Sequence, residues 1–241
     1  MALGEWGTPI AIGLFALALP AAIFMAGLSI QRAAAEGVVG IDYLTSLEFG
    51  GRFLATGSMY LPSQLAGPFE PRPVPHVIVD APSMYPPTAV FLYLPFLVLP
   101  AFLWWAIPLS VIVYAIWRWR PSPWTWGPLA LCIGGGWTTV GVLAGNTNMW
   151  VVAGISAGLL WKWPAALIML KPTLAPFALL GARDRGWWIV LAIATALSLP
   201  LIGQWMDYFT VVRNSTASWT YSYDVWPAFL IPFLAWAGRT R

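Results

Sequence analysis

The chain has 241 residues, of which 59% are hydrophobic and 9% charged, with 12 Lys and Arg against 9 Asp and Glu for a net charge of +3. A soluble domain carries roughly 25% charged residues, so too few are present here to clothe a water-facing surface. Soluble enzymes and soluble nucleic-acid binders are both excluded. The charges are dispersed, which leaves no basic tract for nucleic acid or an anionic lipid surface. The composition reads as an all-α, polytopic transmembrane bundle, a single membrane domain over 1–241 with about eight crossings. The single cysteine, Cys132, lies in an apolar stretch, excludes an intramolecular disulfide and reads as a small buried hydrophobe.

In chain order, residues 8–30 form a first span. The stretch before it holds Glu5 and no Lys or Arg, so it reads as a retained helix and not as a signal peptide. Residues 31–87 form an outer loop carrying Arg32, Glu36, Asp42, Glu48, Arg52, Glu70, Arg72, His76 and Asp80. Within it Ile41, Leu44, Leu47, Phe53 and Leu54 recur near helical spacing, which predicts an interfacial helix from about 42 to 57. The proline-rich stretch 61–87 reads as irregular.

A bundle of short spans follows over 88–203. Residues 88–119 are mostly apolar but hold Pro95, Pro100 and Pro108, so two short helices turning near Pro100 are expected. Residues 127–144 make one glycine-rich span, and residues 149–180 a second pair turning at Trp161-Lys162-Trp163-Pro164, a lysine between tryptophans being an interfacial signature. One more span is expected over 187–203, then an outer polar loop over 204–224 and a last span over 225–238. This count puts both chain ends on one face with Arg183, Arg185, Arg239 and Arg241, which favours that face as cytoplasmic and sends the long loop outward. Arg32, Arg118, Arg120 and Lys162 then fall on the outer face, against the positive-inside tendency.

His76 is the only histidine, so neither a His-rich metal site nor a Ser-His-Asp triad can be built. No phosphate-binding glycine loop, dinucleotide fingerprint or Asp-x-Asp clamp occurs, and no metal or cofactor is expected. Asp42, opening the interfacial helix, reads either as its N-cap or as a general base at the membrane surface. Lys171 lies inside an apolar span, where a lysine costs roughly 2.5–3.5 kcal/mol at mid-bilayer. It either snorkels to an interface or pairs with an anion such as a lipid phosphate. Lys162, Arg118 and Arg120 stand beside tryptophans at span ends, where snorkelling anchors are the ordinary reading. Most of the 17 tryptophans fall at expected helix ends, as an aromatic belt would place them. Asn146 and Asn148 suit a tight turn or a ligand contact. Asn214-Ser215-Thr216 matches a glycosylation acceptor, a pattern short enough to recur by chance.

Five stretches, taken in order, carry a resemblance: Gly40-Ile41-Asp42-Tyr43; Ala55-Thr56-Gly57-Ser58-Met59-Tyr60; Met84-Tyr85-Pro86-Pro87 leading to Leu94-Pro95 and Leu99-Pro100; Gly145-Asn146-Thr147-Asn148; and Leu170-Lys171-Pro172-Thr173. Over residues 40 to about 185 the chain resembles the polyprenol-phosphate-mannose-dependent mannosyltransferases of glycosyltransferase family 87, within the GT-C membrane enzymes. Where this chain has Asn146, the family often has glutamine. The resemblance implies a polyprenyl-phosphate sugar donor, a catalytic aspartate at Asp42 and a donor-phosphate partner at Lys171. Arg52, Arg118 and Arg120 would add phosphate-attracting charge, with Tyr43, Tyr60, Tyr85, Asn146 and Asn148 lining the substrate cavity. Membrane lipids are expected as partners, and the short, broken spans add a membrane protein or a second copy; the expected location is a bacterial cytoplasmic membrane with the long loop outward. The family carries about twice as many crossings, which keeps a non-catalytic lipid-binding subunit or scaffold as the second reading. Transport is a third, poorly served by spans with few paired charges.

Overall fold

The computed structural model describes residues 4–70, 79–217 and 226–240. The long helix α1 (Gly4–Ala35) leads to α2 (Ile41–Thr56) and the one-turn α3 (Pro62–Ala66). A bent segment follows over 87–97, where α4 (Val90–Tyr93) is flanked by 3-10 turns. Next come α5 (Leu103–Trp119), α6 (Pro123–Gly134), α7 (Gly136–Ala144) and α8 (Asn148–Trp161). A 3-10 stretch (Trp163–Leu170) and α9 (Ala175–Ala178) precede α10 (Arg185–Ser198), α11 (Ile202–Asn214) and α12 (Trp226–Ala237). The chain is all-helical: among the described residues the only β contacts are isolated bridges, Phe69 with Ser215 and Pro121 with Arg239.

Among the described residues, two helices are long and apolar enough to cross a membrane, Thr8–Ala35 with 28 residues and Arg185–Asn214 with 30. The α6–α7 pair, bent by 53°, makes a third if it is one span. Its break falls at Gly135, where the glycine-rich span over 127–144 was expected to be continuous. Three successive glycines provide no side chains to stiffen the helix there.

The polar loop expected over 204–224 is helical as far as Asn214, since α10 passes through a single 3-10 turn at Leu199–Leu201 into α11. Gln204, Asp207 and Arg213 made this stretch read as loop, but Leu201, Tyr208 and Val211 recur at helical spacing and are buried. Residues 218–225 of that expected loop lie outside the described residues. Asn214 donates from its amide to the carbonyls of Gln64 (2.9 Å) and Leu65 (3.3 Å), so the nitrogen that a glycan would need is used within the fold.

Helix α1 packs on α6 and α7 through small residues. Ala11, Ala18, Ala22, Ser29 and Ala33 are buried while Leu17 and Phe24 are exposed. Opposite them, a Cβ on Gly134 would lie 2.5 Å from the carbonyl oxygen of Ala22. Gly134→Ala is therefore expected to destabilise the protein by about 1–3 kcal/mol through overpacking, read as a fall in the thermal midpoint in detergent. Gly27→Ala, which meets nothing within 4 Å, provides the control and should not lower it.

Two segments counted as crossings double back. Segment 87–97 begins and ends at the same end of the bundle, since the Tyr85 hydroxyl bonds Thr147 while the Trp104 indole bonds the carbonyl of Gly145. The turn expected at 161–164 is present, with Lys162 at φ 66°. Beyond it the chain returns at Lys171, so that Gly181 lies against the Lys162 carbonyl with no space for a Cβ. Proline at 164, 172 and 176 removes backbone donors there and holds the segment mostly in short 3-10 turns.

This correction moves the cations. Arg118 and Arg239 share a hollow with Trp161 and Trp236, and Lys162 shares another with Arg183 and Asp184. Thr240 donates to the carbonyl of Arg120, and Gly186, next to Arg185, packs on Trp163. Arg118, Arg120, Lys162, Arg183, Arg185 and Arg239 therefore gather at one end, and the expected placement of the first three opposite the others does not hold. α2, the turn between α7 and α8, and Asn214 occupy the other end.

Candidate functional site

Helix α2 opens after Gly40 in the left-handed conformation (φ 75°), and no side chain caps it. Asp42 sits in its first turn, so the N-cap reading of this carboxylate is corrected. Its Oδ2 instead accepts a hydrogen bond from the Asn146 side-chain amide at 2.7 Å. The Oδ1 of Asn146 accepts from the backbone N–H of Asn148 at 2.8 Å, a local Asx-type turn. The Oδ1 of Asn148 in turn accepts from the Lys171 ammonium at 2.6 Å. The two groups singled out in the sequence, Asp42 and Lys171, are thus joined by the Asn146–Asn148 turn.

Aromatic residues hold that turn in place. Gly145 ends α7 at φ 75°, its carbonyl accepting from the Trp104 indole at 2.7 Å, while Trp105 donates to Val142 at 2.7 Å. The Tyr43 ring packs on both tryptophans, with centroids 5.5 and 5.2 Å away. Trp104 is fully buried, and Trp119 and Trp187 nearly so, which departs from the aromatic belt expected of them. Trp117, Trp137 and Trp188 are exposed. Trp104, Trp105 and Thr147 were not singled out from the sequence. Thr147 lies within the Gly-Asn-Thr-Asn motif itself, whereas the two tryptophans reach it only through long-range folding.

Tyr85 spans the cluster, with the Lys171 nitrogen 5.3 Å from its ring centre and its hydroxyl 2.8 Å from that of Thr147. Tyr60 donates its hydroxyl to the backbone carbonyl of Tyr85 at 2.8 Å, and burial pushes its phenol well above the ordinary range, with Tyr208 and Asp207 adding to the effect. Tyr60 therefore braces the loop that carries Tyr85. Gln64, fully buried, clamps the same loop by donating to the Ser83 carbonyl and accepting from the N–H groups of Leu61 and Ser83.

Asp42 is half-buried, and its loss of contact with water raises its carboxyl above the usual range near about 3.9. The Asn146 bond and the charge of Lys171 pull it back only in part. An ammonium has three donors. Among the described residues Lys171 has one hydrogen-bond acceptor, Asn148. That leaves donor capacity where Lys171 lines a cavity of about 360 Å³ with Tyr85, Thr147, Trp150 and Ile168. A second cavity of about 340 Å³ lies across α8, reaching Thr138, Asn146 and Asn148. Both have walls that are otherwise mostly apolar, and both fall in the size range of small-molecule sites.

The remaining expected phosphate partners are not brought to this cluster. Arg52 donates to the carbonyls of Met59 (2.9 Å) and Ala81 (3.1 Å) and pairs with Glu48 (3.2 Å), stapling the loop to α2. Arg118 lies at the far end of α5 from Trp104, about 21 Å away at 1.5 Å per residue. Arg120 closes that helix in the left-handed conformation. His76 lies outside the described residues. Among the described residues, no group of three His, Cys, Asp or Glu side chains could hold a metal ion.

These features define a helical protein with membrane-length helices and a half-buried carboxylate joined through two asparagines to a half-buried ammonium at one end of its bundle. No protein-family model, curated protein or solved structure matches the chain.

Proposed function

We propose that this protein is a multi-pass membrane glycosyltransferase of the GT-C kind, moving a sugar from a polyprenyl-phosphate donor to a lipid or glycan acceptor with inversion. The observation that carries this reading is the link from Asp42 to Lys171 through Asn146 and Asn148, with Lys171 lining a mostly apolar cavity and Asp42 set behind the asparagine turn. The donor's isoprenoid chain lies in that cavity with its phosphate on Lys171. The acceptor oxygen attacks the anomeric carbon, and the bond from that carbon to the phosphate oxygen breaks, its electron pair leaving with the phosphate. Lys171 offsets the charge that develops there. Asp42 takes the acceptor's proton. Mannose is the sugar suggested by the resemblance.

Asp42 acts as a carboxylate, and its burial places its protonation above the ordinary carboxylate range. Transfer should therefore rise with pH through a midpoint clearly above about 3.9. The test is transfer of radiolabelled sugar from polyprenyl-phosphate donors by purified wild type and by Asp42→Asn. Transfer by the wild type alone supports the reading. Equal transfer by both, or none with any donor, overturns it.

The cation-rich end is read as cytoplasmic, which turns the Asp42 end outward in a bacterial cytoplasmic membrane. On a Cys132→Ser background, a membrane-impermeant maleimide applied to intact cells should label Ser63→Cys and spare Thr240→Cys. The reverse pattern would invert the orientation.

A second reading is a non-catalytic subunit that holds lipid and packs on partner helices. It is favoured by Arg185–Asn214, a membrane-length helix whose apolar part is almost entirely left uncovered by the rest of the chain.

A further inference from the structure

Three hydrogen bonds lie between Lys171 and Asp42, and all run in one sense. The ammonium donates to the Asn148 side chain, the Asn148 N–H to the Asn146 side chain, and the Asn146 amide to the carboxylate. The Asn146 amide joins its two bonds directly, and at Asn148 the side-chain oxygen and the backbone N–H act on each other as neighbouring dipoles, more strongly than they would in water. Lys171 also acts on Asp42 through its charge. Among the described residues, the other titratable side chains of the cluster are Tyr43, next to Asp42 on its own helix, and Tyr85, against Lys171. α4 contributes Tyr93, and α7 and the 3-10 turn after α4 contribute no ionisable group. Farther along α2, Glu48 and Arg52 are paired with each other.

We propose that Asn146 and Asn148 are positioning residues that report to Asp42 whether Lys171 holds an anion, so that Asp42 becomes the stronger proton acceptor once a lipid phosphate is seated. The inference rests on the reading of Lys171 as the phosphate partner and deepens it into an order of events. An ammonium paired with phosphate donates less strongly to Asn148. The pull on the carboxylate then weakens along the chain, and its affinity for a proton rises. The base is strongest when the leaving group is in place. In an empty site it is weaker, and an acceptor hydroxyl is less readily deprotonated.

The test uses the whole protein in lipid nanodiscs, labelled with ¹³C at the aspartate carboxyls, with the Asp42 signal assigned by its loss in Asp42→Asn. The carboxyl is titrated with and without polyprenyl monophosphate, and binding of the lipid is measured separately. In the wild type the phosphate should raise the proton affinity of Asp42 about 5-fold or more, the lower end of coupling between sites. Asn148→Ala and Asn146→Ala should each lose most of that rise while still binding the lipid, and Asn146→Gln, which keeps the amide, should retain part of it. An equal rise in the alanine variants would mean that charge acts through space alone, and would overturn the proposal. So would the absence of a rise in the wild type at saturation, or of any binding. Sugar transfer measured on the same preparation separates the two ideas. Transfer without coupling sinks only this inference, and coupling without transfer sinks only the glycosyl chemistry.

Discussion

Asp42→Asn is expected to lower sugar transfer by about 10²–10⁴-fold, the usual contribution of a positioned general base, with no loss of stability at neutral pH. The stability half follows from the sign of the carboxyl's shift. Burial raises the folded-state value above the unfolded one and outweighs the Asn146 bond and the attraction of Lys171. A group raised in this way contributes stability at pH below its unfolded value, and loses it as pH rises through its folded value. At pH 7 ionisation of Asp42 therefore costs the fold part of the stability it has at low pH, and the amide removes that penalty. The Asn carbonyl can still accept from Asn146, so the turn keeps its partner. Thermal unfolding in detergent should give Asp42→Asn a midpoint at or above that of the wild type at pH 7, with the gap closing toward pH values below about 4. A lower midpoint for the variant at pH 7 would make Asp42 structural and remove the argument for a base. Residues retained at a cost to stability mark functional sites more often than packing sites.

Gly145→Val is expected to have the largest effect on the fold. Gly145 sits at φ 75°, where a side chain costs about 1–2 kcal/mol. A Cβ there would lie 2.8 Å from the Tyr43 Cβ and 2.9 Å from the Trp105 ring, and overpacking of this kind adds about 1–3 kcal/mol. Together these predict a destabilisation of about 2–5 kcal/mol. The residue joins α7 to the Asn146–Asn148 turn, so the displacement that relieves the clash also pulls Asn146 from Asp42, and transfer should fall with stability. Gly57→Ala separates the backbone from the packing contribution. Its φ of 77° matches, but a Cβ there meets nothing within 4 Å, so only the backbone cost of about 1–2 kcal/mol should appear and transfer should survive. Equal midpoints for Gly145→Val and Gly57→Ala would show that the contact with Tyr43 and Trp105 carries no energy.

The sequence by itself determined that this is an all-helical chain with membrane-length apolar helices, because too few charges are present for a wetted surface and no alternation favours strands. Local periodicity placed α2 at about 42–57 against Ile41–Thr56 in the structure, and the prolines at 100 and 164 marked real turns. Asp42 and Lys171 stood out because an ionisable group near an apolar run needs a reason. Only the tertiary structure decided how the apolar stretches run. Hydropathy measures length and not direction, so 87–97 and 163–181 read as crossings although both return to the end from which they start. That error alone had set Arg118, Arg120 and Lys162 against Arg183 and Arg239. The fate of Arg52 was hidden for a similar reason, since the Ala81 carbonyl that holds it lies 29 residues away. Polarity between 204 and 214 read as loop because the burial of Tyr208 and Val211 depends on what packs over them. The bond from Asn146 to Asp42 closes a separation of 104 residues. No local rule reaches that far, because the two side chains meet only through the burial of Tyr43 beneath Trp104 and Trp105.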